Sequence, residues 1–308
     1  MSTTDTNFAD VRGANYVPST AVNDAQFWEE FDEATIEREL ALAEDIGLNS
    51  VRVFLQYLVY EDQPNAMLER FDSFCTMAQR HGLSVLPVLF DDCFGPEPEL
   101  GPYPDPVPGK HNSQWRSSPG RTRMGLEHRP ALQRYVEAFT GRFSDDPRVL
   151  AWEIYNEPKS EPPTVALQRD AFGWARAVGP SQPLTACWSG VYLSDITNVH
   201  LYTSPAQQPE EVTRIVESAK SFDKPVLVTE FLGRPNRGTL AETLPIFAEH
   251  GFGWYFWELI IGRTQVDLPW KQDVDSHPDG VAYQGLLYPD GTPYDPDELT
   301  LIAAAAGR

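Results

Sequence analysis

The hydrophobic pattern of this chain changes period again and again, and that alternation constrains its fold more than any other feature. Short β-branched or aromatic runs recur, each followed by a longer segment with apolar residues three or four apart. The runs are Gly13–Val17, Ser50–Leu55, Ser84–Phe90, Leu150–Tyr155, Leu184–Trp188, Val199–Tyr202, Val226–Phe231 and Gly253–Glu258. Helical spacing is carried by Ile36, Leu40, Ala43 and Gly47, then by Leu68, Phe71, Cys75 and Ala78, and by Leu132, Val136, Phe139 and Phe143. It returns at Val212, Ile215, Val216 and Ala219, and at Leu240, Leu244 and Phe247. The segment after Trp188 is too short for a good helix, so the fifth helix is expected to be weak or missing. Asp297–Ala305 reads as a closing helix. Runs such as Ser84–Phe90 are apolar nearly throughout, as a parallel strand buried on both faces must be. Eight such units in 308 residues predict one (β/α)₈ barrel domain over residues 1–308 rather than a doubly wound open sheet.

Charge narrows the ligand. With 24 basic against 45 acidic side chains, the net charge is −21. Such a body repels phosphate backbones and anionic lipid heads, which argues against nucleic-acid and membrane partners and for a neutral ligand. Cys75, Cys93 and Cys187 are odd in number and far apart, so neither a disulfide framework nor a zinc cluster is expected. Met1–Asp10 has no basic or apolar leader pattern, which sets a cytoplasmic expectation. A mature secreted fragment with a restored methionine would begin in the same way. No apolar run approaches the 18 or so residues of a membrane span.

Catalytic groups of such barrels stand at the carboxyl ends of the strands, where the βα loops open. Here those ends read Asn15–Tyr16, Arg52, Asp91–Asp92, Asn156–Glu157, Trp188, His200–Tyr202, Glu230 and Trp257–Glu258. Charge at the end of a buried strand costs solvation free energy unless it is paired, so its recurrence points to a site. Cleavage of a glycosidic bond needs two carboxyl groups flanking one acetal carbon. One protonates the departing oxygen, and the other attacks the anomeric carbon or activates water. Glu157 in Trp152-Glu-Ile-Tyr-Asn-Glu-Pro158 and Glu230 in Val228-Thr-Glu-Phe231 would face each other across the barrel mouth.

Asn-Glu-Pro after the fourth strand, Thr-Glu-Phe at the seventh, His200 and Tyr202 at the sixth and Trp257 at the eighth resemble the clan A glycoside hydrolases, above all the cellulase-like family 5. Arg52 in Asn49-Ser-Val-Arg-Val-Phe54 also resembles that clan. The resemblance spans roughly Gly13 to Thr300. It implies a (β/α)₈ barrel, a retaining mechanism and neither metal nor organic cofactor. It also implies Glu157 as general acid/base, Glu230 as nucleophile and Asn156 as the ligand of the sugar 2-hydroxyl. Tyr202 and Arg52 would hold the nucleophile, and Trp257 would floor the reacting subsite. Arg52 would keep Glu230 ionised, while an apolar setting supplied by Trp152 and Trp188 would keep Glu157 protonated. His200 reads as a strand-end residue that holds the site together.

The chain departs from family 5 at the third strand, where a histidine is common and Leu89-Phe-Asp-Asp-Cys93 stands instead. Asp91 and Asp92 either bind a sugar hydroxyl or cap the loop through Asx turns. Asn15, Trp188, Trp115 and Gln265 complete the candidate substrate contacts. The last two belong to Cys93–His128 and Gly262–Tyr288, loops far longer than usual for a barrel. Loops of that length, rich in aromatics and arginines, would wall a pocket on two sides, so action on a chain end or on short glycosides of neutral sugars is expected. The rival arrangement has both loops folded outward onto the helices. Two other functions fit the same residues: a transglycosylase, and a carbohydrate-binding barrel without catalysis.

Overall fold

Every run of the sequence pattern becomes a strand. In the computed structural model, which describes residues 7–307, these are β1 (Arg12–Asn15), β2 (Ser50–Phe54), β3 (Ser84–Asp91), β4 (Trp152–Asn156), β5 (Leu184–Ala186), β6 (Thr197–Leu201), β7 (Val226–Phe231) and β8 (Gly253–Phe256). All pair in parallel, in the order β5-β4-β3-β2-β1-β8-β7-β6. A single Cys187–Asn198 bridge joins the two ends, so the sheet forms one nearly closed (β/α)₈ barrel. At this seam side chains replace the ladder: Asp195 accepts from the Leu184 N–H and Ser194 from the Ala186 N–H.

The outer layer holds α1 (Asp24–Glu29), α2 (Glu33–Asp45), α3 (Tyr57–Asp62), α4 (Pro64–Arg80), α5 (Arg129–Arg142), α6 (Pro162–Val178), α7 (Gln208–Phe222), α8 (Leu240–His250) and α9 (Pro296–Ala305). Proline in the first turn starts five of these helices, α4, α5, α6, α7 and α9, where its missing N–H is not needed. A Thr239–Glu242 capping box starts α8. After β5 there is only a 3-10 turn, Trp188–Tyr192, as the short sequence there predicts. The apolar spacing did not single out α6, α1 or α3.

Two glycines let the barrel close. A Cβ at Gly13 would lie 2.2 Å from the Tyr255 ring, which crosses the interior to bond Ser50. One at Gly253 would lie 2.0 Å from the Phe8 carbonyl, in the N-terminal turn packed beneath the barrel. Among the described residues no helix is long and apolar enough to cross a membrane.

Candidate active site

Parallel register sets the strand ends side by side: Asn15 beside Arg52, Asp91 beside Asn156, and His200 beside Glu230. Arg52 is the hub and is fully buried. Its Nε and Nη2 grip both oxygens of Glu153 at 2.7 and 2.8 Å. Its Nη1 donates to Glu230 at 2.8 Å and to Asn15 at 2.7 Å, and Nη2 also donates to Asn156 at 2.7 Å. Five hydrogen bonds to four side chains satisfy the guanidinium and fix their positions. Glu153 is the partner that sequence reasoning missed. The available signal was a second charge inside a strand that must be buried on both faces.

Glu157 follows β4 with φ +43°, a left-handed conformation rare outside glycine. Its N–H donates to Cys187 Sγ at 3.0 Å, and its carboxylate Oε1 lies 2.8 Å from His200 Nδ1. Tyr202 donates to Glu230 at 3.1 Å. One oxygen of Glu157, one of Glu230 and a ring nitrogen of His200 all lie within 4.8 Å of one another. Glu153, Cys187 and His200 form a second such trio, but Arg52 grips Glu153 and Glu230, so each trio already faces a buried positive charge. A cation there would meet that repulsion directly.

The protonation pattern corrects one expectation. Burial opposes charge on Glu157, yet the His200 hydrogen bond and charge outweigh it and hold its pKa below the usual range. Trp152 does not set this balance, since it is fully buried at the start of β4 against Phe71 of α4, and Trp188 is half exposed. Glu230 moves the other way, because burial and the Glu157 charge prevail over His200 and Arg52. Burial disfavours charge on His200, but Glu230, Cys187 and Glu157 together hold its pKa well above the imidazole norm. The proton expected on Glu157 therefore belongs to the Glu157–His200 pair, and a shift along one 2.8 Å hydrogen bond delivers it to either partner.

A cavity of about 820 Å³ opens above these groups. Of the sequence candidates, Trp115, Asn156, Glu157, Tyr202, Glu230 and Trp257 line it. Phe54, Trp115 and Trp257 meet edge to face on one wall. Asn156 donates to Asp91 with one Nδ2 hydrogen, leaving the second for a ligand. Asn15, Arg52 and His200 stand behind the carboxylates rather than on the cavity wall.

Asp91 and Asp92 do not reach the cavity. Asp91 accepts from Asn156, Trp115 and the Cys93 N–H, the last closing an Asx turn, and burial pushes its carboxyl up to about 7 against these donors. Asp92 accepts from Thr164 and lies near Lys159. Gln265 also turns away, donating to the Val107 carbonyl at 3.1 Å. Trp188 stands edge-on to His200 at 6.2 Å, off the cavity wall.

The two long loops fold over the mouth and clasp each other. Besides the Gln265 bond, Asn112 N–H donates to the Thr264 carbonyl at 2.8 Å, His111 to the Leu268 carbonyl at 2.7 Å and Arg263 to Asp105 at 2.8 Å. The outward arrangement is thereby excluded. Trp270, from the second loop, packs against Tyr202 with ring centres 4.9 Å apart and lines the cavity.

No family model matches this chain, and no curated protein does. Solved structures do. A GH5_18 enzyme from Streptomyces cattleya, solved with GlcNAc, is 16% identical over 97% of this chain and 80% of its own, with a TM-score of 0.64. The exo-β-1,4-mannosidase of Opitutaceae bacterium strain TAV5 is 18% identical over 96% of this chain and 59% of that one, with a TM-score of 0.65. The fold is that of family 5 glycoside hydrolases. A hyperthermostable endo-1,4-β-D-mannanase from Thermotoga petrophila also shares it, at 15% identity over 96% of this chain and 99% of its own, with a TM-score of 0.63.

Proposed function

We propose that this chain is a retaining β-glycosidase that releases neutral sugars from chain ends or short glycosides. The observation that carries this reading is the close approach of Glu157 and Glu230, with oxygens within 4.8 Å, on the wall of a walled cavity. Retaining enzymes hold their carboxyl groups about 5–5.5 Å apart, and inverting ones leave room for water at about 6.5–9.5 Å. Glu230 attacks the anomeric carbon while the glycosidic C–O bond breaks and the departing oxygen takes the proton of the Glu157–His200 pair. Water then attacks the same carbon, gives its proton back to that pair and frees Glu230. Two inversions give net retention.

Tyr202 and Arg52 orient the nucleophile, and the second hydrogen of Asn156 Nδ2 meets the 2-hydroxyl. Similar structures solved with Manβ1-4GlcNAc and those of mannosidases make β-mannosides the first substrates to try. The test is a panel of 4-nitrophenyl β-glycosides, with the anomer of the first-formed product read by NMR. A β product supports the double displacement, and an α product overturns it. Sugar binding without turnover across the panel would leave a binding barrel instead.

A further inference from the structure

We propose that His111, with Asn112 and Gln284, forms a hydroxyl-reading subsite of acceptors that holds the sugar on the Glu230 side of the cavity. This deepens the glycosidase reading and rests on it. All three residues line the cavity, two from the β3 loop and one from the β8 loop. His111 Nδ1 meets the Leu268 carbonyl at 2.7 Å. A carbonyl only accepts, so the proton sits on Nδ1 and Nε2 presents a bare lone pair. Trp270 and Tyr283 meet the imidazole edge to face, with centroids 6.4 and 6.2 Å away, and hold its plane. Burial pushes the His111 pKa down to about 4, so the ring remains neutral at working pH.

The other two residues point the same way. Gln284 spends its Nε2 on the Leu232 carbonyl, and its Oε1 is buried with no partner. Asn112 is 2% exposed, and its Oδ1 is likewise buried and unpaired. Buried acceptors without partners are uncommon and costly, and a ligand that donates hydrogen bonds removes the cost. Trp270 links this wall to the reacting centre, because it touches Tyr202, which donates to Glu230. A sugar that brings several hydroxyl donors fits such a wall. A carboxylate, which only accepts, does not.

The test uses the 4-nitrophenyl β-glycoside that binds best and its monodeoxy analogues. Removing the matching hydroxyl should cost the wild type about 10-fold or more in kcat/KM, because the acceptor is left bare. The same analogue should cost His111→Phe almost nothing further, whereas a merely structural role would make parent and analogues suffer alike. Equal losses throughout overturn the proposal, as does faster cleavage of a glucuronide, which would hand recognition to Lys110 and Lys271 on the same wall. A second measurement does not need turnover. In ¹⁵N-histidine-labelled Glu230→Gln, the His111 Nε2 signal should read as unprotonated at neutral pH and shift when the glycoside saturates the protein. Turnover without that shift sinks the subsite and spares the enzyme. The shift without wild-type turnover sinks the enzyme and spares the subsite.

Discussion

The two sides of the cavity are built by opposite means. On one side the β3 and β8 loops clasp each other through hydrogen bonds at Asn112, His111, Arg263 and Gln265 and form a wall. On the other, the β5–β6 seam has one bridge, a 3-10 turn where other units carry a helix, and a half-exposed Trp188. Glu230 reaches the walled side through Tyr202 and Trp270 and lies 3.5 Å from His200, whereas Glu157 leans most closely on Cys187 and His200 at the seam. The difference gives the site a direction. On the mechanism proposed above, the sugar that becomes bonded to Glu230 would sit against the wall, and the leaving group would depart over the seam.

The sharpest break in that comparison comes from the carboxylates themselves. Glu230→Ala should lower turnover on every substrate by on the order of 10⁵-fold, since the proposed nucleophile is removed. Glu157→Ala should cost about 10²- to 10⁴-fold on disaccharides, whose leaving group needs a proton, and far less on a nitrophenyl glycoside. Added azide should then restore part of the Glu157→Ala rate on the nitrophenyl substrate and yield a β-glycosyl azide. Equal losses in both variants on both leaving groups would erase the assigned direction.

Much of this was legible in the sequence, and the misses share a cause. Eight strands, the weak fifth unit and the facing glutamates followed from period and strand-end chemistry, which are local. What stayed hidden depends on partners far apart in the chain. Glu153 shows in the sequence only as a charge inside a buried strand, and its pairing with Arg52 emerges once β2 and β4 turn the two toward each other. His200, rather than a tryptophan, governs Glu157 because β6 carries its ring to within 2.8 Å. By sequence alone Asp91 fits either a sugar ligand or an Asx turn; the fold selects the turn, and Asn156 and Trp115 take its other acceptor sites. Chain order reveals which groups reach the mouth of a barrel; it does not reveal which of them face each other there.

The walled side can be opened directly. Trp270→Ala should lower kcat/KM on monosaccharide nitrophenyl glycosides about 10-fold, by loss of ring contact with the bound sugar. Deleting the tip of the Cys93–His128 loop should weaken the smallest substrates most. Wild-type protein should release mono- or disaccharide from soluble β-mannan without an early fall in viscosity. A fast viscosity drop with few new reducing ends would refute the closed wall.

The pH profile tests the proton's place at the seam. Glu230 is raised, so its anion, and the acid limb of kcat/KM, should appear only above the ordinary glutamate value of about 4.3. His200 is raised as well, so the Glu157–His200 pair keeps its proton past the ordinary imidazole value of about 6.5, and the alkaline limb lies higher still. Replacing His200 by Asn removes the charge that lowers Glu157 and the group that stores the proton. The alkaline limb should move while the overall fold, followed by circular dichroism, stays the same. An unchanged alkaline limb would place the proton elsewhere.

The smallest effect belongs to the open side. Trp188 is 50% exposed, held at φ +50°, and its ring stands 6.2 Å from that of His200, beside the Glu157–His200 pair. An exposed aromatic ring at such a position offers a flat apolar surface to the apolar face of a sugar. A leaving group that departs over the seam would pass across this ring. Trp188→Ala should therefore lower kcat/KM about 3- to 10-fold for a disaccharide and leave the methyl glycoside of the same terminal sugar unchanged. Methyl glycosides share every contact with the wall and lack only the second ring, so the ratio isolates the seam. If both substrates lose equally, Trp188 supports His200 rather than the leaving group. If neither loses, the leaving sugar does not pass over the seam, and the direction assigned from the two walls is reversed.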